Sequence, residues 1–358
     1  MSSIWGNNIQ ISLFGESHGK AIGAVIHGLP PGIALDFDAI DLEMKRRAPG
    51  KSPTSTPRKE KDAYEIVSGF FNGKTTGTPL CCFIANKDTR SKDYEKTALT
   101  IRPGHADYTG YIKYKGFNDY RGGGHFSGRL TAPLVFAGAI AKQILKQKNI
   151  AVGSHIYQIG SIKDTPFENP TAEMFQALSN KKICVLDDKA GNKMEKIVLE
   201  AKEQLDSLGG IIETAIINIP AGMGSPFFDS IESRLSSMMF SIPAVKGIEF
   251  GQGFNFAHMK GSEANDAYTI HESQIQTETN HNGGILGGIS NGMPIVFRTV
   301  FKPTPSISQK QKTVNLKLNE AAELVIQGRH DPCIVFRAVA VTEAAAALVI
   351  LDLLLEGE

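Results

Sequence analysis

"AVAVTEAAAALVILDLLL", residues 338–355, is the most apolar stretch of this 358-residue chain. Glu343 and Asp352 interrupt it with charge, and they leave eight uncharged residues between them. Because a membrane-spanning helix needs about 20 consecutive, predominantly apolar residues, the segment is predicted to be a helix buried in a protein core. We therefore expect a globular protein that is built around this helix and has no membrane partner.

A second segment, residues 131–148, is also rich in alanine and mostly apolar, so it is predicted to be another central helix. Each helix follows a loop that holds arginine and histidine: "RGGGHFSGR" (121–129) precedes the first and "GRHDPCIVFR" (328–337) precedes the second. Three consecutive glycines indicate a loop with unusual dihedral angles or with a group packed close to its backbone. The flanking Arg121 and Arg129 make an anion the natural ligand of this loop.

The rest of the chain contains strand-like and helix-like patterns in clusters. Short alternating runs predict strands at residues 8–14, 21–28, 64–71 and 79–86. The dipeptide Asn72-Gly73 predicts a hairpin between the last two. Further helices are predicted at 36–47, 194–208 and 229–239. Because strands and helices do not alternate strictly, the pattern favours an α+β fold over a doubly wound sheet. No linker or repeat divides the sequence, so a single domain spanning residues 1–358 is predicted.

Composition argues against several classes of partner. The chain carries 38 Lys and Arg against 37 Asp and Glu, so its net charge of +1 creates no field that would attract nucleic acid. Its four cysteines form no CxxC pair and fit a reducing compartment, and the N-terminus lacks the pattern of a signal peptide. A cytoplasmic location is therefore expected. No HExxH motif or Cys/His cluster is found in the sequence, so no metal site is predicted.

Two short motifs suggest other protein classes. "GESHG" (15–19) matches the nucleophile elbow of α/β-hydrolases, with Ser17 as the nucleophile, but that elbow follows several strands and only fourteen residues precede Gly15. "GFFNGKTTG" (69–77) resembles a phosphate-binding P-loop but has Ser68 where that motif needs glycine. No dinucleotide-binding GxGxxG follows a predicted strand. A serine hydrolase built on Ser17 stays as an alternative.

The histidines fall into two groups. Four of the nine lie in loops that contain glycine or arginine: His18, His105, His125 and His330. A structural role is predicted for three others: His27, His155 and His258. The basic segment 45–61 is consistent with an exposed loop or with a lid over a polyanion. Together these patterns predict an enzyme with a basic pocket for a small anionic substrate, in which histidines act as general acids toward a leaving phosphate.

Six motifs in a characteristic order extend over nearly the whole chain: "GESHG", "RPGHADYT", "DYRGGGHFSGR", "GGILGGISNG", "FKPTPSIS" and "GRHDPCIVFRAVAVTEA". In this order they resemble the chorismate synthase family. The resemblance implies a fold of helices sandwiched between antiparallel β-sheets, a β-α-β sandwich, and assembly as a homotetramer. It also implies 1,4-elimination of phosphate from 5-enolpyruvylshikimate 3-phosphate to give chorismate, the last step of the shikimate pathway. Reduced FMN would be required although no net oxidation occurs.

The resemblance implies roles for particular residues. His18 would protonate the departing phosphate, with Ser17 in the surrounding network, and His105 would stabilise the reduced, anionic flavin. Asp331 would assist removal of the C6 proton of the substrate, and the glycines of residues 122–124 would let the backbone and Ser127 approach the flavin. Three arginines would clamp the phosphate and the carboxylates: Arg47, Arg129 and Arg329.

Flavin contacts are implied at a further set of positions: His125, Phe126, Ser127, Ala244, Gly287, Lys302, Pro303, Thr304, Pro305, Ser306 and Arg329. The chain departs from many family members at residues 125 and 126, where they have arginine and serine, and at Pro53, where they have arginine. Lys51 or Arg58 would compensate for Pro53, or that contact is absent. Two alternatives stay open for the flavin: reduction by the chain itself with NADPH, or supply from an outside source. A non-catalytic flavin-binding protein is the third functional reading.

Overall fold

The structure is a computed structural model that describes residues 3–50, 60, 62–87, 99–326 and 331–356. Its helices are α1 (Phe37–Arg47), α2 (Asp107–Lys113), α3 (Thr131–Gln147), α4 (Ala172–Asn180), α5 (Asp188–Glu203), α6 (Ile231–Ser241), α7 (Gly261–Ala264) and α8 (Val335–Leu354). Its strands are β1 (Ile4–Trp5), β2 (Gln10–Gly15), β3 (Ala21–His27), β4 (Tyr64–Ser68), β5 (Phe70–Phe71), β6 (Lys74–Thr75), β7 (Leu80–Ala85), β8 (Ala151–Ile159), β9 (Ile162–Lys163), β10 (Gly210–Ile217), β11 (Val245–Phe250), β12 (Tyr268–His271), β13 (Gln274–Thr277), β14 (Ile285–Leu286), β15 (Ile289–Ser290), β16 (Ile295–Phe301), β17 (Lys310–Asn315) and β18 (Glu320–Val325).

Two five-stranded antiparallel sheets enclose the central helices. The first sheet has the strand order β1-β2-β3-β7-β4, and the second has the order β11-β16-β10-β8-β9. Helix α3 packs against β2, β3 and β7 and also against α8, which in turn packs against β8 and β10. One cluster of buried side chains extends through both sheets and the helices between them. The predicted α+β fold, with helices sandwiched between antiparallel sheets, is confirmed.

Helix α8 is buried along nearly its whole length because it lies between α3, α6 and the second sheet. Both charges that interrupt its apolar sequence are paired, as buried carboxylates must be. Glu343 accepts hydrogen bonds from Arg46 and from Lys142, at 2.6 and 2.7 Å. Asp352 pairs with Arg234. Within the described ranges, no helix has an apolar run long enough to cross a membrane.

Four predicted helices agree with α1, α3, α6 and α8 to within three residues at either end. The predicted helix 194–208 is wrong in its bounds, because α5 runs from residue 188 to residue 203. The side chain of Asp187 accepts a hydrogen bond from the N–H of Lys189 and so starts this helix earlier. Leu205 has a φ of 60°, which ends it before residue 208. Helices α2, α4 and α7 were not predicted.

The four predicted strands are present, with one difference in their connection. Asn72 and Gly73 have φ values of 48° and 79°, as a two-residue hairpin turn requires. This turn joins β5 to β6. Gly69, with a φ of 78°, divides the predicted strand 64–71 into β4 and β5. Strands β4 and β7 still pair with each other in antiparallel orientation.

Candidate active site

Residues 121–126 form a tight turn that lies against two histidine side chains. Gly122 has a φ of 60°, and a Cβ atom built on it would be 2.1 Å from Cε1 of His18. A Cβ atom on Gly123 would be 3.2 Å from Nε2 of His105. Since a side chain would collide with one imidazole and crowd the other, the glycines make room for the protein's own histidines. The turn thereby places His18 and His105 against consecutive backbone positions.

Ser17 orients the imidazole of His18. Its side chain is fully buried, and its hydroxyl donates to the backbone carbonyl of Arg121 at 3.2 Å. The same oxygen lies 3.1 Å from Nδ1 of His18, which assigns the ring proton to Nδ1 because the hydroxyl acts there as an acceptor. Proton exchange then takes place at Nε2. A nucleophilic serine would instead donate its proton to the histidine, so this arrangement does not favour the hydrolase alternative.

His105 lies against an ion pair. Its Nδ1 is 2.7 Å from Oδ1 of Asp107, and Arg102 donates to the two carboxylate oxygens of Asp107 at 2.8 and 2.7 Å. Burial alone would raise the pKa of Asp107, but the hydrogen bonds from Arg102 and His105 outweigh burial and hold that pKa well below its usual range. Asp107 is therefore ionised at neutral pH. Neither Arg102 nor Asp107 was predicted as a site residue, although both lie in "RPGHAD".

Arg47 and Arg129 share one buried carboxylate, that of Asp62. Nη1 of Arg47 lies 2.5 Å from Oδ2 of Asp62, and Nη1 of Arg129 pairs with Oδ1. Burial lowers the pKa of Arg47 to about 10, an effect that Asp62 partly offsets and that the charges of Arg337 and Arg129 reinforce. Burial would raise the pKa of Asp62, but the two guanidinium groups outweigh it and lower that pKa. Asp62 is the counter-ion of two buried cations, a role that was not predicted.

Arg129 is connected to the loop that carries His18. Its Nε donates to Oδ1 of Asn86 at 3.1 Å. The amide nitrogen of Asn86 donates to the carbonyls of Glu16 and Gly19, at 2.9 Å each. Nη2 of Arg129 is buried and has no hydrogen-bond partner among the residues that the structure describes. Because buried donors are normally paired, Nη2 is a candidate donor to a bound anion.

Asp331 joins the same cluster through Arg337. Nη1 of Arg337 donates to Oδ2 of Asp331 at 2.7 Å, and its Nε donates to the backbone carbonyl of Arg47 at 3.1 Å. Two predicted site residues, Asp331 and Arg47, are therefore held together by an arginine that was not predicted. The only signal for it in the sequence is a cation in the first turn of a helix that is otherwise apolar.

The segment 302–306, "KPTPS", lies against the loop "RPGHAD". The N–H of Lys302 donates to the carbonyl of Ala244 at 2.9 Å, and its Nζ donates to the carbonyl of Gly104. Oγ1 of Thr304 is buried and, within the described ranges, has no hydrogen-bond partner. The structure thus brings together two predicted flavin contacts, Ala244 and Lys302, and places an unused hydroxyl beside them in the sequence.

Three predicted flavin contacts have a different setting. Both ring nitrogens of His125 are used within the protein, Nδ1 with the carbonyl of Gly15 at 2.8 Å and Nε2 with Oγ of Ser3 at 2.6 Å. Phe126 packs its ring onto helix α2. Gly287 lies at the exposed tip of the β14–β15 hairpin, with no described atom within 4 Å of its Cβ position. In the part of the chain that the structure describes, these contacts do not involve the two site histidines.

The remaining predicted contacts lie near the groups described above. The hydroxyl of Ser127 accepts the N–H of Arg129 at 3.2 Å. Pro305 packs on the backbone of "RPGHAD", Ser306 is buried and Pro303 is exposed. Residues with a predicted role that fall outside the described ranges are Lys51, Pro53, Arg58, Arg329 and His330. Most of the basic segment 45–61 also falls outside them.

His155 is a structural histidine, as predicted. It is fully buried between Asp164 and Glu213, and a carboxylate oxygen lies 3.0 Å from each of its ring nitrogens. Burial would lower the pKa of His155, but the two carboxylates outweigh burial and raise it. Among the described residues, no group of His, Cys, Asp and Glu side chains is arranged to hold a metal ion.

These contacts combine acid–base groups with buried positive charge. The glycine turn holds the two imidazoles, and Asn86 ties the loop of His18 to Arg129. Imidazoles transfer protons near neutral pH, and guanidinium groups stabilise anions in a water-poor setting. The arrangement can therefore protonate and retain an anionic leaving group.

Known proteins resemble this chain along its whole length. The family profile described as chorismate synthase matches residues 9–355. A chorismate synthase of Dehalococcoides mccartyi is 48% identical over 357 residues, which cover 100% of this chain and 98% of the relative. A chorismate synthase of Thermococcus gammatolerans is 48% identical over 350 residues, covering 98% of this chain and 97% of the relative. A crystal structure of chorismate synthase has a TM-score of 0.77 and 31% identity, covering 99% of this chain and 93% of that one. The chain belongs to the chorismate synthase family.

Proposed function

We propose that this chain catalyses the reaction of its family, the 1,4-elimination of phosphate from 5-enolpyruvylshikimate 3-phosphate. The substrate loses its C6 proton and its C3 phosphate, a new double bond forms, and chorismate results without net oxidation. The enzyme is thus a carbon–oxygen lyase at the last step of the shikimate pathway, which supplies aromatic amino acids. The match to the family over residues 9–355 supports this activity.

The observation that carries the proposal is a pair of imidazoles linked to a buried arginine with an unused donor. His18 would give a proton from Nε2 to the departing phosphate, because Ser17 holds its Nδ1. Nη2 of Arg129, which lacks a partner within the described ranges, would donate to the phosphate or a carboxylate. Each nitrogen of Arg47 already has a protein acceptor, so Arg47 would bind the substrate by sharing those bonds. Arg329 is proposed as the third cation from the resemblance.

Asp331 would assist removal of the C6 proton. Its bond to Arg337, 2.7 Å long, fixes the carboxylate relative to the start of α8 and to the backbone of Arg47. A carboxylate is a weak base, so a fixed position close to the proton contributes more to the rate than basicity does. This role is proposed together with the clamp of arginines, since the two share Arg337.

The residues present fit reduced FMN as the cofactor. Thr304 offers a buried hydroxyl without a described partner, and Lys302 offers a partly buried ammonium group. Bound flavin would supply an electron-rich ring that weakens the bond to the leaving phosphate. We propose that its contacts are residues 125–127, Ala244, Gly287, residues 302–306 and Arg329. Because the imidazole of His125 is engaged by Gly15 and Ser3, position 125 would contribute through its backbone.

An anaerobic turnover assay tests the proposal. The purified chain is mixed with 5-enolpyruvylshikimate 3-phosphate and chemically reduced FMN, and released phosphate and the absorbance of chorismate are followed. The assay is repeated with oxidised FMN and NADPH. We expect turnover with reduced FMN; additional turnover with NADPH would reveal an intrinsic flavin reductase. If the chain releases no phosphate under either condition while it binds FMN, it is a flavin-binding protein without this activity.

Assembly and location are proposed from the resemblance. We expect a homotetramer in the cytoplasm. Light scattering coupled to size-exclusion chromatography measures the mass of the particle in solution, and a monomeric or dimeric mass at assay concentration would contradict the tetramer.

A further inference from the structure

We infer that Asp107 and Arg102 are positioning residues that fix the ring tautomer of His105; this inference rests on the proposed function for its catalytic consequence. Two groups approach the same ring nitrogen. Oδ1 of Asp107 lies 2.7 Å from Nδ1 of His105, and Nη2 of Arg102 lies 3.2 Å from it. Nδ1 either donates or accepts a hydrogen bond, so only one of these two contacts is a hydrogen bond at any time.

The distances decide between the two contacts. A hydrogen bond to an ionised carboxylate is short, about 2.7–2.9 Å for a nitrogen donor, and the contact with Asp107 has this length. Nδ1 of His105 therefore carries a proton that it donates to Asp107. The other nitrogen, Nε2, is then an acceptor in the neutral ring and a donor when the ring is protonated. This nitrogen faces the position of a Cβ atom on Gly123, 3.2 Å away.

Arg102 prevents the carboxylate from turning away from the imidazole. Its Nε donates to Oδ2 of Asp107 at 2.8 Å and its Nη2 to Oδ1 at 2.7 Å. Its backbone N–H adds a third bond to Oδ2 at 2.9 Å. The loop thus closes on itself between residue 102 and the start of α2. From the other side, Nζ of Lys302 binds the carbonyl of Gly104. His105 is held in a loop that is fixed at both ends.

The substitution Asp107→Asn tests the tautomer directly. Arg102 would keep the amide oxygen of the new side chain, because its donors require an acceptor. The amide NH2 group would then face Nδ1 of His105, which must accept, and the ring proton moves to Nε2. The ¹⁵N chemical shifts of the imidazole distinguish the two tautomers, and the signals of His105 are identified by their loss in His105→Ala.

We expect the ligand-free wild-type protein to show the Nδ1–H tautomer and Asp107→Asn to show the Nε2–H tautomer. With reduced FMN, kcat of Asp107→Asn should fall about 10²-fold or more, as other enzymes lose rate when a catalytic histidine takes the wrong tautomer, while KM changes little. Asp119→Asn is the matched control, because Asp119 holds Arg121 in a similar fork at 2.8 and 2.7 Å. It should leave the tautomer of His105 unchanged.

The inference is overturned if wild-type His105 carries its proton on Nε2, or if Asp107→Asn keeps the wild-type tautomer. The wild-type spectrum needs no variant, so a variant that fails to fold does not remove the test. A tautomer change without a loss of kcat overturns the catalytic consequence. If the wild-type chain shows no turnover at all, the spectra still report on Asp107, and the failure then belongs to the proposed function.

Discussion

Gly122 lies directly against the imidazole of His18, so that a Cβ atom on this glycine would be 2.1 Å from Cε1 and 2.2 Å from Nδ1. The substitution Gly122→Ala must therefore displace the ring or the turn. Displacement of a catalytic group by about 1 Å can cost about 10²-fold in rate. We expect kcat to fall by about this factor and the free energy of unfolding to fall by about 1–3 kcal/mol.

The matched control for this glycine is Gly128→Ala in the same loop. No described atom lies within 4 Å of the Cβ position of Gly128, and its φ is not positive. We expect this variant to keep its free energy of unfolding and its turnover within about twofold. Equal losses in the two variants would show that the loop is sensitive to any side chain, and that the contact between Gly122 and His18 is not the cause.

Arg129 should be required as an arginine and not only as a cation. Arg129→Lys keeps the charge but loses the planar fork that reaches Asn86, Asp62 and the open Nη2 direction. Hydrogen bonds to charged groups contribute about 1.5–3 kcal/mol, so KM for the substrate should rise roughly 10- to 150-fold. Steady-state kinetics under reduced FMN measure this. An unchanged KM with a lower melting temperature would mean that Arg129 has only a structural role.

Arg121→Lys serves as the control for this arginine. The side chain of Arg121 is 39% exposed and pairs with Asp119, so the same change there alters a surface ion pair. We expect KM to stay within about threefold of the wild-type value. A rise in KM as large as that of Arg129→Lys would indicate a general loss of positive charge around the site and would contradict a specific donor at Arg129.

Local sequence patterns predicted the central helices well because their cause is local. An alanine- and leucine-rich run is helical and apolar whatever surrounds it, so α3 and α8 were found within three residues. The hydrogen bond between Arg129 and Asn86 joins residues 43 positions apart, and the bond between Arg337 and Arg47 joins residues 290 apart. No short motif contains such pairs. The site was therefore predictable as residue types in loops, but its counter-ions and linking residues were not.

The carboxylate of Glu343 should make the stability of the protein depend on pH. Burial would raise the pKa of Glu343, but Arg46 and Lys142 outweigh burial and hold that pKa well below its usual range. Because the folded pKa is lower than the unfolded value of about 4.3, this stabilisation is fully present above that pH and is lost as pH falls toward the folded pKa. Glu343→Gln should therefore flatten the decrease in unfolding free energy below about pH 5.

At neutral pH, Glu343→Gln should lower the unfolding free energy by about 3–5 kcal/mol, because it leaves buried cations without one of their partners. Denaturant titrations between pH 3 and pH 7 measure both effects. Glu195→Gln is the control, since Glu195 pairs with Lys182, which is 65% exposed, and exposed pairs contribute about 1 kcal/mol or less. A pH dependence of Glu343→Gln that matches the wild type would contradict the assignment.

His18→Ala separates catalysis from cofactor binding. If His18 protonates the leaving phosphate from Nε2, its removal should lower turnover about 10²- to 10⁴-fold, the usual contribution of a general acid. Flavin affinity should change little, because the proposed flavin contacts are at residues 125–127, 244, 287 and 302–306. Phosphate release with reduced FMN and a fluorescence titration of FMN measure the two properties. His27→Ala, at the exposed end of β3, should leave both unchanged. Normal turnover in His18→Ala would show that another group supplies the proton, and loss of FMN binding would place His18 in the cofactor site.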